Sequence, residues 1–371
     1  MSPPSRLLVG NLDAETDFAR TSGTLPCKVL ETLSGFATLL RAFAGDGDEL
    51  RTILRVAPER MADVPGLPRP RLSQGPTTAR DGGRPLLAWA ETAEVATCRR
   101  STPAAEPDAE APVHEVLWAV PPPAPENAAR VNHRGFCLAT ARDLGCALPG
   151  ARMVSSPAEL GSDAWVAKAC FSAAGRSRYV HRGGGLDAKA RRTLEHLFAR
   201  HGPLLCEPWM ERTDDFGCAA VLTPRTTRVA GFHRQLVDCR GGFTGLELRV
   251  EPGGWPELSG GERDRFRTTL EGVARALRVA GYLGPFGIDC WRYRRPDGTI
   301  AFHPLGEINA RMTFGLVARA LVDRVREPLG LAPDGRVRIV FGRNEGGAAV
   351  RRVPLLLPDS AGVEAVLEVL D

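Results

Sequence analysis

Apolar positions along the chain follow two periods, and the changes between them mark out the elements. Residues 6–10 form a short apolar run that closes on Gly10 and Asn11, the pattern of a first strand feeding a loop. Residues 50–56 and 86–89 are further strand candidates, separated by Pro-, Gly- and Arg-rich loops that include 65–84. Residues 126–144 carry helical spacing that stops at Gly145. A strand at 165–168 precedes the turn-rich stretch 171–177, and 186–201 is helical up to Gly202 and Pro203. Residues 204–206 form a short strand entering Glu207-Pro208-Trp209-Met210. Residues 219–222 and 227–234 pattern as a hairpin, and 262–280 as a helix. Finally, 288–293 alternates as a strand, Arg295-Pro296-Asp297-Gly298 forms a turn, and 299–309 returns as the paired strand. Strands interleaved with helices predict an α/β chain. The order-poor stretches 101–112 and 121–125 read as connectors, so a domain boundary is expected there.

Composition narrows the functional classes. The 371 residues suffice for two or three domains. Gly (40) and Pro (30) exceed ordinary usage without a collagen-like period, which predicts many tight turns, while aromatics are scarce at 6%. No apolar run approaches the length of a membrane span, and the N-terminal apolar run is too short for a secretory signal, so a cytoplasmic protein without a membrane partner is expected. The net charge of +4 is spread among interspersed signs and offers no basic tract for nucleic acid. Nine scattered cysteines without a CxxC pair read as reduced, mostly buried thiols. Only Lys28, Lys168 and Lys189 are lysines, so a Lys on an apolar strand stands out.

The hairpin 288–309 carries the clearest chemistry. A turn centred on Asp297 and Gly298 sets Asp289 opposite Glu307 to within one residue, with Cβ atoms roughly 5 Å apart if directly paired. Glu307, Asn309 and Arg311 share one face by the period of two. Two acids and an amide oxygen on one face repel each other unless a cation sits among them. An all-oxygen set of this size suits Mg²⁺, with Arg311 placed to meet a phosphate oxygen. The same spacing is also compatible with a solvated hairpin edge. Lys168 follows three apolar residues, so its stem is expected to be buried, and the small residues of 172–175 with Arg176 could cradle an anion. An edge-strand lysine beside an ordinary turn is the plainer alternative. A Walker A motif and a GxGxxG fingerprint are both absent.

Residues 165–177, 207–217, 281–289 and 307–315 together resemble, in order, the motifs of the ATP-grasp superfamily of carboxylate–amine ligases. The most specific part is Gly-Tyr-Leu-Gly-Pro-Phe-Gly-Ile-Asp (281–289) followed by Glu-Ile-Asn-Ala-Arg (307–311). The resemblance implies an ATP-grasp fold of α/β (α+β) class. Residues 1–125 would form a Rossmann-like N-terminal domain, 126–205 the smaller lid subdomain, and 206–371 the larger catalytic subdomain with a C-terminal extension. It implies that Lys168 contacts the phosphates of ATP and that Ser172, Ala173, Ala174, Gly175, Arg176 and Ser177 form the loop over the triphosphate. The backbone of Glu207, Pro208, Trp209 and Met210 would read the adenine edge, with Asp215 at the ribose. Asp289, Glu307 and Asn309 would hold Mg²⁺ (or Mn²⁺), and Arg311 would stabilise the transferring phosphoryl group. One departure is visible: where many members carry a second phosphate-binding lysine, this chain has Asn132-His133-Arg134, and Arg134 is the substitute on offer. Arg292, His233 and Arg249 are candidates for the acceptor pocket. The implied activity activates a small-molecule carboxylate as an acyl phosphate and joins it to an amine. A kinase-like phosphotransferase and a silent nucleotide-binding regulator are the alternatives, and a homodimer is left open.

Overall fold

In the computed structural model, which describes residues 5–19, 25–78, 81–98, 111–172, 177–239, 241–253, 257–342 and 349–370, the strands divide into three sheets. The first comprises β1 (Leu7–Gly10), then, after α1 (Ala14–Phe18) and α2 (Cys27–Ala37), β2 (Glu49–Thr52), β3 (Arg71–Gln74) and β4 (Leu86–Ala88). All its pairings are parallel, in the order β3-β2-β1-β4. Every residue of β1 is buried, as an unbroken apolar run in a sheet covered on both faces should be. β3 corrects the expectation of a loop over 65–84. It is an edge strand whose only aliphatic residue is Leu72, too little to show a period. α3 (Ala93–Ala96) and α4 (Val113–Ala119) follow, and the expected connector lies outside the described residues from 101 to 110.

The single helix expected over 126–144 is two helices, α5 (Pro125–Asn132) and α6 (Arg134–Asp143). The break is local chemistry. His133 takes an extended conformation (φ −71°, ψ 129°), and its Nδ1 accepts the Gly135 N–H at 3.0 Å, so it caps the second helix. After it come β5 (Arg152–Val154), β6 (Ala164–Ala169), β7 (Arg178–Arg182), α7 (Ala188–His201) and β8 (Leu204–Pro208). These strands form an antiparallel sheet ordered β5-β8-β6-β7. α7 starts on an Asp187 cap and stops at Gly202, whose φ of +67° suits glycine. This sheet and helix bury a core of their own around Trp165, Leu194 and Leu204. β8 runs past the boundary expected at 205.

The third sheet has eight strands: β9 (Glu211–Leu222), β10 (Thr227–Val237), β11 (Phe243–Arg249), and, beyond α8 (Gly260–Val279), β12 (Gly284–Arg294) and β13 (Ile300–Asn309). After α9 (Phe314–Val325), β14 (Arg336–Gly342), β15 (Arg351–Leu356) and β16 (Glu364–Leu370) complete it in the order β13-β12-β9-β10-β11-β14-β16-β15. α8 begins with a full capping box between Ser259 and Glu262. The apolar core runs continuously from Leu8 in the first sheet to Leu367 in the last. Arg324 extends from α9 to the carbonyls of Ala42 (3.1 Å) and Ala44 (2.9 Å), tying the N-terminal unit onto the large sheet. Among the described residues no helix is long and apolar enough to cross a membrane.

Candidate functional site

A cavity of about 600 Å³ is lined by the small sheet, the large sheet and the N-terminal unit together. Its floor is set by register. Asp289 pairs directly with Glu307 across β12 and β13, and with Gly217 on its other side, which in turn pairs with His233. A row of Glu307, Asp289, Gly217 and His233 therefore crosses four strands on one face. Gly217 has to be small there: a Cβ would come within 2.3 Å of His233 Nε2, and Gly315 at the start of α9 meets the same ring from above. The neighbouring row brings Gln235, Asp215 and Trp291 side by side.

Asp289 is held by two amides. Gln235 Nε2 donates to its Oδ1 at 2.6 Å and Asn309 Nδ2 to its Oδ2 at 3.2 Å. Burial, and then the charge of Glu307, push its carboxyl up to about 7. Glu307 Oε1 accepts from Arg134 Nη2 at 2.9 Å. Arg134 also reaches Ser172 Oγ at 2.8 Å, Ser172 O at 3.2 Å and the carbonyl of Ala169, so the break at His133 aims this guanidinium between the glutamate and the end of β6. Lys168 lies in the same cavity with its Nζ 2.5 Å from Glu207 Oε2. Burial opposes ionisation of Glu207, but the Lys168 ammonium and Arg212 outweigh it and hold the carboxyl below the usual range. Arg311 Nη2 donates to Asn309 Oδ1 at 3.2 Å and pairs with Glu15 Oε1 at 2.8 Å, which brings the N-terminal unit into the site. His233, fully desolvated, is pulled down to about 4 and is neutral near pH 7.

The sequence matches no family model and no curated protein. The fold does have counterparts among solved structures. A carboxyaminoimidazole ribonucleotide synthase from Aspergillus clavatus, complexed with ATP, superimposes with a TM-score of 0.55 at 13% identity, covering 99% of this chain and 94% of that one. A protein from Archaeoglobus fulgidus assigned to the ATP-grasp superfamily gives 0.53 at 12% identity, over 99% and 100%. Pyruvate carboxylase from Rhizobium etli gives 0.51 at 14%, with the chain spanning 36% of that larger protein. This chain has the ATP-grasp fold.

Within the ATP-grasp frame, the cavity gathers Arg134, Lys168, Ser172, Asp215, Asp289, Glu307, Asn309 and Arg311 from the sequence-based candidates. Ala173, Ala174, Gly175 and Arg176 lie outside the described residues. Ser177 takes a positive φ of 51°, and its carbonyl accepts the Ala169 N–H at 3.0 Å. Glu207, Pro208, Trp209 and Met210 also line the cavity, but Pro208 has no N–H and the Trp209 N–H is donated to Ala164 O at 3.0 Å. Neither position therefore offers a free backbone N–H to a base. The Asp215 carboxylate accepts from Arg212 Nη1 at 2.9 Å.

Two acceptor candidates are corrected. Arg292 points to the other face of β12, where it grips Glu262 in the α8 capping box at 2.8 and 2.7 Å, so it joins a strand to a helix and does not line the cavity. Arg249, at the end of β11, is exposed, and its carbonyl takes a hydrogen bond from Arg319; it too lies outside the cavity lining. His233 is the one of the three that reaches it. Sequence reasoning missed Gln235, which the period of two places beside His233, and Glu15, which no local pattern connects to Arg311.

The donor set fits a divalent cation. Two carboxylates are packed together with one of them pushed toward neutrality, and a cation would relieve that strain. Asn309 presents its Nδ2 to Asp289 and its Oδ1 to Arg311. Rotating the amide by half a turn exchanges the two. Among the described residues no cluster of three His, Cys, Asp or Glu could hold a metal, so the set has two acids and an amide, and the rest of a cation's shell must come from water or a bound phosphate.

Proposed function

We propose that the protein is an ATP-dependent ligase that activates a substrate carboxylate and joins it to an amine, with release of ADP and phosphate. The observation that carries this reading is the convergence of Lys168, the Asp289–Glu307 pair and Arg311 on one cavity within an ATP-grasp fold. Lys168, held on β6 by Glu207, supplies a fixed positive charge for the triphosphate, and Arg134 adds a second beside Ser172. Asp289, Glu307 and Asn309 would hold Mg²⁺, which when bound offsets negative charge on the phosphates. The carboxylate oxygen attacks the γ-phosphorus, the bond to the β-phosphate oxygen breaks, and ADP leaves. The amine nitrogen then attacks the acyl carbon, and phosphate departs as the nitrogen loses its proton. Arg311, its guanidinium fixed by Asn309 and Glu15, would meet the charge on the transferring group. None of these steps calls for a nucleophilic side chain.

The experiment is a two-substrate requirement. ADP and phosphate should form from Mg-ATP only when an acid and an amine are both present, with an amide as product. ADP accompanied by a stable phosphorylated product would replace the ligase with a phosphotransferase.

A further inference from the structure

The far end of the cavity differs in chemistry from the end at Lys168. Aromatic residues are 6% of the chain, yet Trp89, Phe243 and Phe314 line the cavity here, with Phe36 and Phe341 packed against Phe314 behind them. Phe314 lies 5.0 Å from Trp89 and stacks on Phe243 at 5.9 Å, and Leu12 and Leu33 continue the apolar wall. This wall begins beside the reacting groups, since Arg311 sits 5.7 Å from the Trp89 ring. One anion is set into it. Glu15 Oε1 is taken by Arg311, while Oε2 is buried with no hydrogen-bond partner among the described residues. A buried carboxylate oxygen without a donor costs free energy that an incoming N–H would recover.

Resting on the ligase reading above, we propose that one of the joined substrates is an amino acid with a large apolar side chain: its side chain fills the space among Leu33, Trp89, Phe243 and Phe314, and its ammonium donates to Glu15 Oε2. An apolar wall that carries one carboxylate oxygen without a donor selects for a substrate with both an apolar side chain and an ammonium.

The test uses the full chain with Mg-ATP and reads ADP release for racemic phenylalanine, leucine and tryptophan against racemic glutamate, racemic lysine and glycine, each offered with one common pool from which all apolar and all six tested amino acids are left out. The apolar set should exceed the polar set in kcat/KM by about tenfold or more. Glu15→Gln should raise KM for phenylalanine by about tenfold while leaving inhibition by 3-phenylpropionate, which lacks the ammonium, unchanged. Should that variant fail to fold, Leu33→Trp, which shortens the apolar space, should raise KM for phenylalanine without changing KM for ATP. Polar amino acids turning over as well as phenylalanine, or Glu15→Gln weakening 3-phenylpropionate equally, would overturn the assignment. Mg-ATP binding with no response to any apolar amino acid removes this inference alone, whereas failure of Mg-ATP to shift the melting curve removes the ligase reading and this one with it.

Discussion

Asp289 and Glu307 stand directly opposite one another on β12 and β13, two carboxyls on one face of the sheet at the bottom of a cavity. Gln235 and Asn309 each give Asp289 an N–H, which lessens the repulsion without removing it, because burial and Glu307 together still raise its carboxyl to about 7. Arg134 offsets part of the Glu307 charge, and a cation held between the two carboxyls would offset the rest.

Asp289→Asn separates those two roles. It removes one of two facing carboxylates, and the flanking amides can rotate to match it. In metal-free buffer at pH 8 the variant should therefore melt no lower than the parent, while its ADP release should fall by about a hundredfold or more. Calorimetry in EDTA and a coupled ADP assay on the same preparation check both halves.

Nucleotide binding should be visible as stability. Mg-ATP at about a hundredfold excess over Kd should raise the unfolding free energy by about 2.7 kcal/mol, and ATP with EDTA by less. Chemical denaturation with and without Mg²⁺ measures the difference.

The Lys168–Glu207 pair is nearly enclosed, with side chains 13% and 10% exposed. Lys168→Met leaves Glu207 buried without its cation and should destabilise the protein by about 3–5 kcal/mol. Adding Glu207→Gln should restore most of that loss but not ATP affinity. Urea unfolding together with calorimetric ATP titration distinguishes the structural part from the nucleotide part.

Arg292 gives a pH signature away from the cavity. Its hydrogen bonds to Glu262 hold that carboxyl down at about 2, against an ordinary 4.5. A depressed acid stabilises the folded state above its unfolded pKa, and that contribution is lost as pH falls from about 4.5 toward 2. Arg292→Met should lower the melting temperature at pH 7 and flatten its fall between pH 5 and 3, with ADP release kept. Melting curves across that range provide the check.

The hairpin that holds the acid pair was legible because two local signals agree, alternation in 288–293 and a Pro-Asp-Gly turn, whose Gly298 has the positive φ of +83° that the turn requires. Lys168 was legible because lysine is rare here and its strand is apolar. The break at His133 was not, because it depends on one imidazole capping a backbone N–H, a contact without periodicity. Arg292 was misplaced although strand parity alone sets it on the opposite face of β12 from Asp289. Glu15 reaches Arg311 only through the docking of the N-terminal unit on the large sheet, and pairings between distant units leave no trace in spacing.

The most direct measurement is anomalous diffraction from crystals grown with Mn²⁺ and a non-hydrolysable ATP analogue. A manganese peak is expected between Asp289 and Glu307, with the Asn309 amide turned toward it and the triphosphate leading to Lys168. A nucleotide bound elsewhere, or manganese bound away from both carboxylates, would contradict the account.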